Sequence, residues 1–184
     1  MSHSSLQRSE EFLQISPQFQ LGALTTESSH PVTANLSTVA QGDIAKALRL
    51  LFQVDQDVMG TFRAFVESGR ASSISRELIG KLSHGGRMFF TGCGSTGRLS
   101  IQLVSIWRDF WQRQGAAGLR ASAFAQDWEQ RAFAVMAGGD YALIKSVEGF
   151  EDFTAFGRKQ LRDLGVSKRD VVFAITEGGE TSFV

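Results

Sequence analysis

Apolar positions along this chain follow two different periods, and the changes between them mark out its elements. Ile44, Leu48, Leu51, Phe52 and Met59 recur at helical spacing, with Asn35 or Ser37 standing where an N-cap is needed. A second helical run, SISRELIGKLSHGG, starts at Ser73 and meets a breaker pair at Gly85 and Gly86. Short apolar runs then appear at residues 87–91 (RMFFT), 133–136 (FAVM) and 170–176 (DVVFAIT), each ending in glycine-rich polar sequence. Runs of that length and composition predict buried parallel strands. Between the first two strands, Leu99, Leu103, Ile106, Trp107, Phe110 and Trp111 predict a helix from Gly97 to about Gln114 and Gly115. Its aromatic stripe reads as core or subunit interface. Helical pattern returns at residues 141–147 and 150–164, with Gly165 as the stop. Residues 115–132 fit less well, and the segment LRASAFAQD is open to reading as a strand or as an irregular insertion.

Strands alternating with helices predict an α/β fold, a three-layer sandwich built on a parallel sheet. The division expected is a mobile tail over residues 1–22, an N-terminal segment with helices over 23–84, and the sheet domain over 85–184. Three strands are few for an open parallel sheet, and TSFV at residues 181–184 looks like the start of a helix, so the chain is expected to be the N-terminal portion of a longer domain. Ligands on such sheets bind beyond the carboxyl ends of the strands. Those ends are TGCGSTG, AGGD and TEGGETS, which predicts a single site built from all three.

Composition narrows the chemistry. Nineteen basic residues balance nineteen acidic ones, which gives no electrostatic case for nucleic acid or an anionic membrane. The one cysteine, Cys93, excludes an internal disulfide framework and suits a reducing compartment. His3, His30 and His84 lie far apart with no partner at metal-ligand spacing, so no metal is expected, and no other cofactor. No apolar run is long enough to span a bilayer, and the polar N-terminus has no secretory character; the expected location is the cytoplasm.

The glycine loop admits two ligands. Gly92, Gly94 and Gly97 spell G-x-G-x-x-G between a strand and a helix, the frame of a Rossmann-type NAD site. That frame needs an acidic residue at the end of the next strand for the ribose, and Asp127 is the candidate, about ten residues late. The other reading is a single phosphate. A helix N-terminus offers unpaired N–H groups and a positive dipole end, and Ser95 and Thr96 add hydroxyl donors. A cap on the helix would account for one of those hydroxyls, leaving the glycine frame unexplained.

GCGSTGRLS resembles the phosphate loop of the sugar isomerase (SIS) domain family, in the branch that contains N-acetylmuramic acid 6-phosphate etherase and glucokinase regulatory protein. Further motifs follow in the same order. LTTESSHPVTANLS resembles the branch's opening T-E-x-x-N-P segment, with His30 in place of Asn. AGGD at 137–140 resembles its A-G-G-[DE], VEGFED at 147–152 its E-G-x-E-D, and DVVFAITEGGETSFV its second ligand loop. The resemblance covers roughly residues 24–184 and implies a flavodoxin-like SIS domain. It implies a sugar phosphate as ligand, in carbohydrate-derivative metabolism or in the regulation of a sugar kinase, with that kinase or a second copy of the chain as protein partner. Gly94, Ser95 and Thr96 would hold the phosphate. Glu148 and Glu151 would line the sugar, and their spacing of three allows one helical face; acids there also suit a helix N-terminus. Thr176 and Gly178 would belong to the second ligand loop.

In the etherases the second glutamate of E-G-x-E-D is the base at carbon 2 of the sugar, which makes Glu151 the candidate catalytic residue of a lyase or isomerase reading. One departure bears on that chemistry. The etherases carry a second acid on the helix after the phosphate loop, and ungapped counting from Gly94 places Ile106 there. An isoleucine has no proton to donate. A second departure is the pair Glu177 and Glu180, carboxylates that would repel a phosphate in a low-dielectric cleft and suit sugar hydroxyls better.

Overall fold

A computed structural model of the chain describes residues 4–16, 24–118, 122–147, 149–179 and 181–184. They fall into two compact units, residues 1–63 and 64–184.

In the first unit, α1 (Ser5–Ile15) lies within the segment expected to be a mobile tail. Its cause is local: the Ser4 hydroxyl accepts from the Gln7 N–H while the Gln7 side chain accepts from the Ser4 N–H, a reciprocal capping box. A 3-10 turn at Thr25–Glu27 precedes α2 (Leu36–Gly42) and α3 (Ile44–Glu67). The single helix expected here is thus two, because the Asp43 carboxylate accepts the Lys46 N–H and caps a new start. Ile44, Leu48, Leu51, Phe52 and Met59 form the exposed side of α3, whose buried residue is Ala47. His30 accepts the Val32 N–H at its Nδ1 (3.2 Å) and reaches Asp57 with its Nε2 (3.5 Å).

The second unit runs α4 (Arg70–Ser83), β1 (Met88–Gly92), α5 (Gly94–Ala116), α6 (Ser122–Glu129), β2 (Ala132–Met136), α7 (Tyr141–Ile144), α8 (Thr154–Asp163) and β3 (Val171–Ala174). All three strands are parallel, in the order β2-β1-β3, with Phe89 opposite both Phe133 and Val172. The pleat sends alternate residues to two cores. Leu82 of α4, Met88 and Ala132 of the sheet and Val104 of α5 are buried together on one face. Phe89, Val135, Ala137 and Phe183 are buried on the other, with Leu161 of α8 against them. The expected three-layer α/β sandwich is therefore present. Although the sequence grouped α4 with the preceding helices, Leu82 makes it part of this unit.

Residues 122–129 are neither strand nor irregular insertion. Phe124 and Trp128, four apart, place both rings against Trp111 of α5, and Trp107 donates its indole N–H to the Trp128 carbonyl at 2.7 Å. That aromatic cluster selects the helical period. It also accounts for two of the six residues of the α5 stripe: Trp111 is buried and Trp107 partly buried, whereas Leu99, Ile106 and Phe110 are exposed.

The amino ends of β1 and β3 are held by one side-chain pair. Asp170, with 3% of its side chain exposed, accepts the backbone N–H of Arg87 at 2.8 Å and pairs with its guanidinium at 3.1 Å. The same guanidinium donates to the carbonyls of Leu164 and Gly165 after α8, and lies 5.0 Å and 5.5 Å from the ring centres of Phe89 and Phe133. Burial alone would raise the Asp170 carboxyl, but the hydrogen bonds from Arg87 and Ser167 outweigh it and hold it at about 2, against an ordinary 3.8. A depressed carboxyl stabilises the folded state above its unfolded value and loses that contribution as the pH falls through the folded one. Asp170→Asn is expected to cost about 1.5–3 kcal/mol at pH 7 in urea unfolding, the usual worth of hydrogen bonds to a charged group. The difference from wild type should shrink between pH 3.8 and about 2. A gap that stays constant over that range would refute the assignment.

Candidate functional site

The three strands end in register, and their loops meet at one edge. The ladder continues past them: the Ala137 N–H donates to the Gly92 carbonyl and the Ile175 N–H to the Thr91 carbonyl, both at 3.1 Å. In this strand order β2 is added on one side of β1 and β3 on the other, and such a switch in winding is where a parallel sheet opens a crevice.

Each glycine of the first loop has a different physical reason. A Cβ on Gly92 would lie 2.7 Å from backbone atoms of Thr96 and Gly97, so the first turn of α5 can fold back over the end of β1 only with hydrogen there. A Cβ on Gly97 would meet the Met136 side chain at 2.7 Å, which fixes how closely α5 seats on β2. Gly94 is different. Its φ is +50°, and a Cβ there would meet nothing within 4 Å. The loop is closed by contact at its two outer glycines and open to solvent at the middle one.

Helix α5 starts at Gly94, three residues before the expected start, and so puts both hydroxyls into its first turn. There they part company. Thr96 Oγ1 donates to the Cys93 carbonyl at 2.6 Å and accepts the Cys93 N–H at 3.2 Å, so its hydroxyl is spent on closing the loop. The Ser95 side chain is exposed and makes no hydrogen bond with any described residue. The first-turn N–H groups have no carbonyl partner within the helix and point the same way.

Glu151 lies in the turn before α8, off any helix, so the shared helical face with Glu148 does not form; Glu148 itself lies outside the described residues. The turn brings Glu151 and Asp152 near the glycine loop. Cys93 registers them: burial raises its thiol, and the two carboxylates add to the rise, taking it from 9.0 to about 11. A thiol at a helix N-terminus is ordinarily depressed, so the desolvation and the acids win here. The second ligand loop closes on Thr176, whose Oγ1 accepts the Gly179 N–H at 3.2 Å and lies 3.0 Å from Thr181 Oγ1. Gly178 and the exposed Glu177 sit within that loop, and Glu180 lies outside the described residues. Behind AGGD, Arg98 donates to the Ala142 carbonyl at 3.4 Å and ties α7 to α5.

One sequence reading is corrected. Asp127 is on α6, ahead of β2, and paired with Arg131, and is not at a strand's carboxyl end, so the NAD reading loses its ribose acid. Ile106 is 56% exposed on α5, about 18 Å along the helix from Gly94 at 1.5 Å per residue. Cys93, Asp152 and Phe183 were not singled out as site residues from the sequence. Phe183 carries no local signal, although the helix-interior Gly157 it rests on is one, since glycine there costs about 1 kcal/mol relative to alanine and calls for a close contact. A groove of about 660 Å³ runs along α5 and β2 past Ser105, Arg108 and Gln112, but none of its lining comes from the strand-end loops. Among the described residues, no cluster of acidic, His or Cys side chains is arranged to hold a metal, and no helix is long and apolar enough to cross a membrane.

Residues 71–184 match the family described as the glucokinase regulatory protein N-terminal SIS domain, and the chain belongs to that family. Relatives along most of its length include N-acetylmuramic acid 6-phosphate etherases. The protein of that name from Lactobacillus acidophilus is 29% identical over 168 residues, 88% of this chain and 48% of the relative. Those from Synechococcus sp. (strain CC9605) and Synechocystis sp. are each 31% identical, over 92% and 89% of this chain. The chain spans about half the length of these relatives.

Gly92→Ala is expected to destabilise the chain by about 1–3 kcal/mol, because its methyl would meet backbone that cannot yield. Gly97→Ala should cost less, since the Met136 side chain can swing aside and alanine recovers up to about 1 kcal/mol of helix propensity. Urea unfolding of the two variants would test the order, and the reverse order would contradict this account of the loop.

Proposed function

We propose that this chain binds a phosphosugar, with the phosphate on the first turn of α5 and the sugar toward the Glu151 turn and the loop after β3. The observation that carries the reading is the open middle of the glycine loop. At Gly94 the backbone turns through positive φ with nothing over it, beside an unpartnered Ser95 hydroxyl and the head of a 23-residue helix. Orphan N–H groups and a positive helix end favour a compact anion there. Family membership and the printed activity of the etherase relatives support a sugar as the rest of the ligand. In this reading Gly94 and Ser95 contact the phosphate, Thr96 shapes the loop, and Glu148, Glu151, Thr176 and Gly178 face the sugar. A carboxylate beside sugar hydroxyls is a sound acceptor, and the acidic Glu151 and Asp152 keep a second phosphate out of the same crevice.

A thermal melt tests it with fructose 6-phosphate, N-acetylglucosamine 6-phosphate and NAD. Saturation at a hundred times the dissociation constant adds about 2.7 kcal/mol, so the sugar phosphate should raise the midpoint by roughly 5 °C and NAD should leave it unmoved. Ser95→Ala should abolish the shift while leaving the unliganded midpoint nearly unchanged. Thr96→Val should lower the unliganded midpoint as well, because it opens the cap on Cys93. A Ser95→Ala variant with an undiminished shift would sink the phosphate assignment.

The second reading is a lyase or isomerase of the etherase type, which the named activity of the relatives favours. Glu151 would be its base, removing the proton at carbon 2. This chain's Ile106 supplies no acid, so the reaction would stop at proton exchange unless another group protonates the leaving oxygen. Exchange of that proton with deuterated water, followed by NMR and lost in Glu151→Gln, is the expected result of this reading. Exchange at the same rate in Glu151→Gln would exclude Glu151 as base.

A further inference from the structure

Phe183 is the least exposed residue of the segment after β3, and its surroundings link that segment to the candidate sugar carboxylate. Its ring is buried with Phe89, Val135 and Ala137, and Phe150 and Cys93 pack against the same cluster. Its N–H donates to the Glu151 carbonyl at 2.8 Å. Its own carbonyl lies where a Cβ on Gly157 would be, so the first turns of α8 can approach it only because that residue is glycine. On the other side of the turn, Phe150 and Phe153 each contact Phe156, with ring centres 5.1 Å and 5.3 Å apart.

We propose that Phe183, seated against Gly157, is a positioning residue that holds the turn carrying Glu151 beside the glycine loop. The inference rests on the reading of Glu151 as a sugar-facing group. Glu151 is in no helix or strand, so its place is set by what grips the turn around it. The grip has two parts: a backbone hydrogen bond to residue 151 itself, and a ring anchored in the core beneath the loop. The strand-end loops after β1 and β3 are thereby coupled through the turn between them, and the distance from phosphate to carboxylate becomes a property of the Phe183 seat. That distance selects the size of sugar the site accepts.

Cys93, the sole cysteine of the 184-residue chain, reports on the arrangement. The Glu151 carboxylate suppresses its thiolate, so Glu151→Gln should speed its alkylation by iodoacetamide at pH 8 and shift the pH profile downward. The test is a double-mutant cycle on that rate. In the Phe183→Ala background, Glu151→Gln should no longer change the rate, because the carboxylate has already swung away. Phe183→Leu, which refills the seat, should restore the Glu151→Gln effect. Lost packing alone would change the exposure of Cys93 equally with Glu or Gln at position 151, and the cycle would be additive. If Phe183→Ala gives no cooperative melt, Gly157→Ala serves in its place, since its methyl must displace the Phe183 carbonyl while leaving the ring in the chain. An unchanged Glu151→Gln effect in these backgrounds would overturn the proposal. The readout needs no ligand, so a coupled cycle without sugar-phosphate binding would leave the latch standing and remove the site reading.

Discussion

Everything at the candidate site depends on how closely the end of β1 meets the start of α5. With hydrogen at Gly92 and Gly97, the first turn of the helix rests on the strand end and on Met136 of β2. That approach fixes the direction of the helix axis, and with it the direction in which the unpaired N–H groups point. It also brings Thr96 under Cys93, where the hydroxyl closes the loop from within. A methyl group at Gly92 would meet backbone and lift the helix away, undoing all three arrangements at once, whereas one at Gly97 meets a side chain that can yield. The middle glycine plays no part in this packing, and its openness is what leaves room for a ligand.

The site is electrostatically divided. On one side stand the helix end and exposed backbone donors; on the other stand Glu151 and Asp152, close enough to raise the thiol between them. Burial is the larger cause of that rise, and the two carboxylates add to it. A ligand fitting both sides must itself be divided, anionic at one end and rich in hydroxyl donors at the other. A phosphosugar, the ligand proposed above, has that form.

Much of the fold was legible in the sequence because its strongest signals are short and bounded. The three strands are apolar runs closed by glycine, and each appears within a residue or two of its expected place. The loops converge because parallel strands must end at the same edge. What was not legible depends on partners distant in sequence or on one hydrogen bond. SAFAQDWE is too short for its period to declare itself, and four aromatic rings from two helices made it α6. Asp43 splits one expected helix into two with a single side-chain bond. At the site, Ser95 and Thr96 are interchangeable on paper, and only the cap geometry shows which is occupied. Glu151 looked like a helix residue by spacing, yet the turn around it is gripped by Phe183, which lies about thirty positions further along.

The pair Arg87 and Asp170 sits at the amino ends of the strands, at the far end of the sheet from the three glycine-rich loops. The clamp and the proposed site thus lie at opposite ends of the same strands. Substitutions at exposed loop positions such as Ser95 leave the clamp untouched, and among the described residues the clamp makes no hydrogen bond to the first turn of α5. A scaffold divided in this way can change the chemistry at one edge of its sheet while the other edge keeps the strands together.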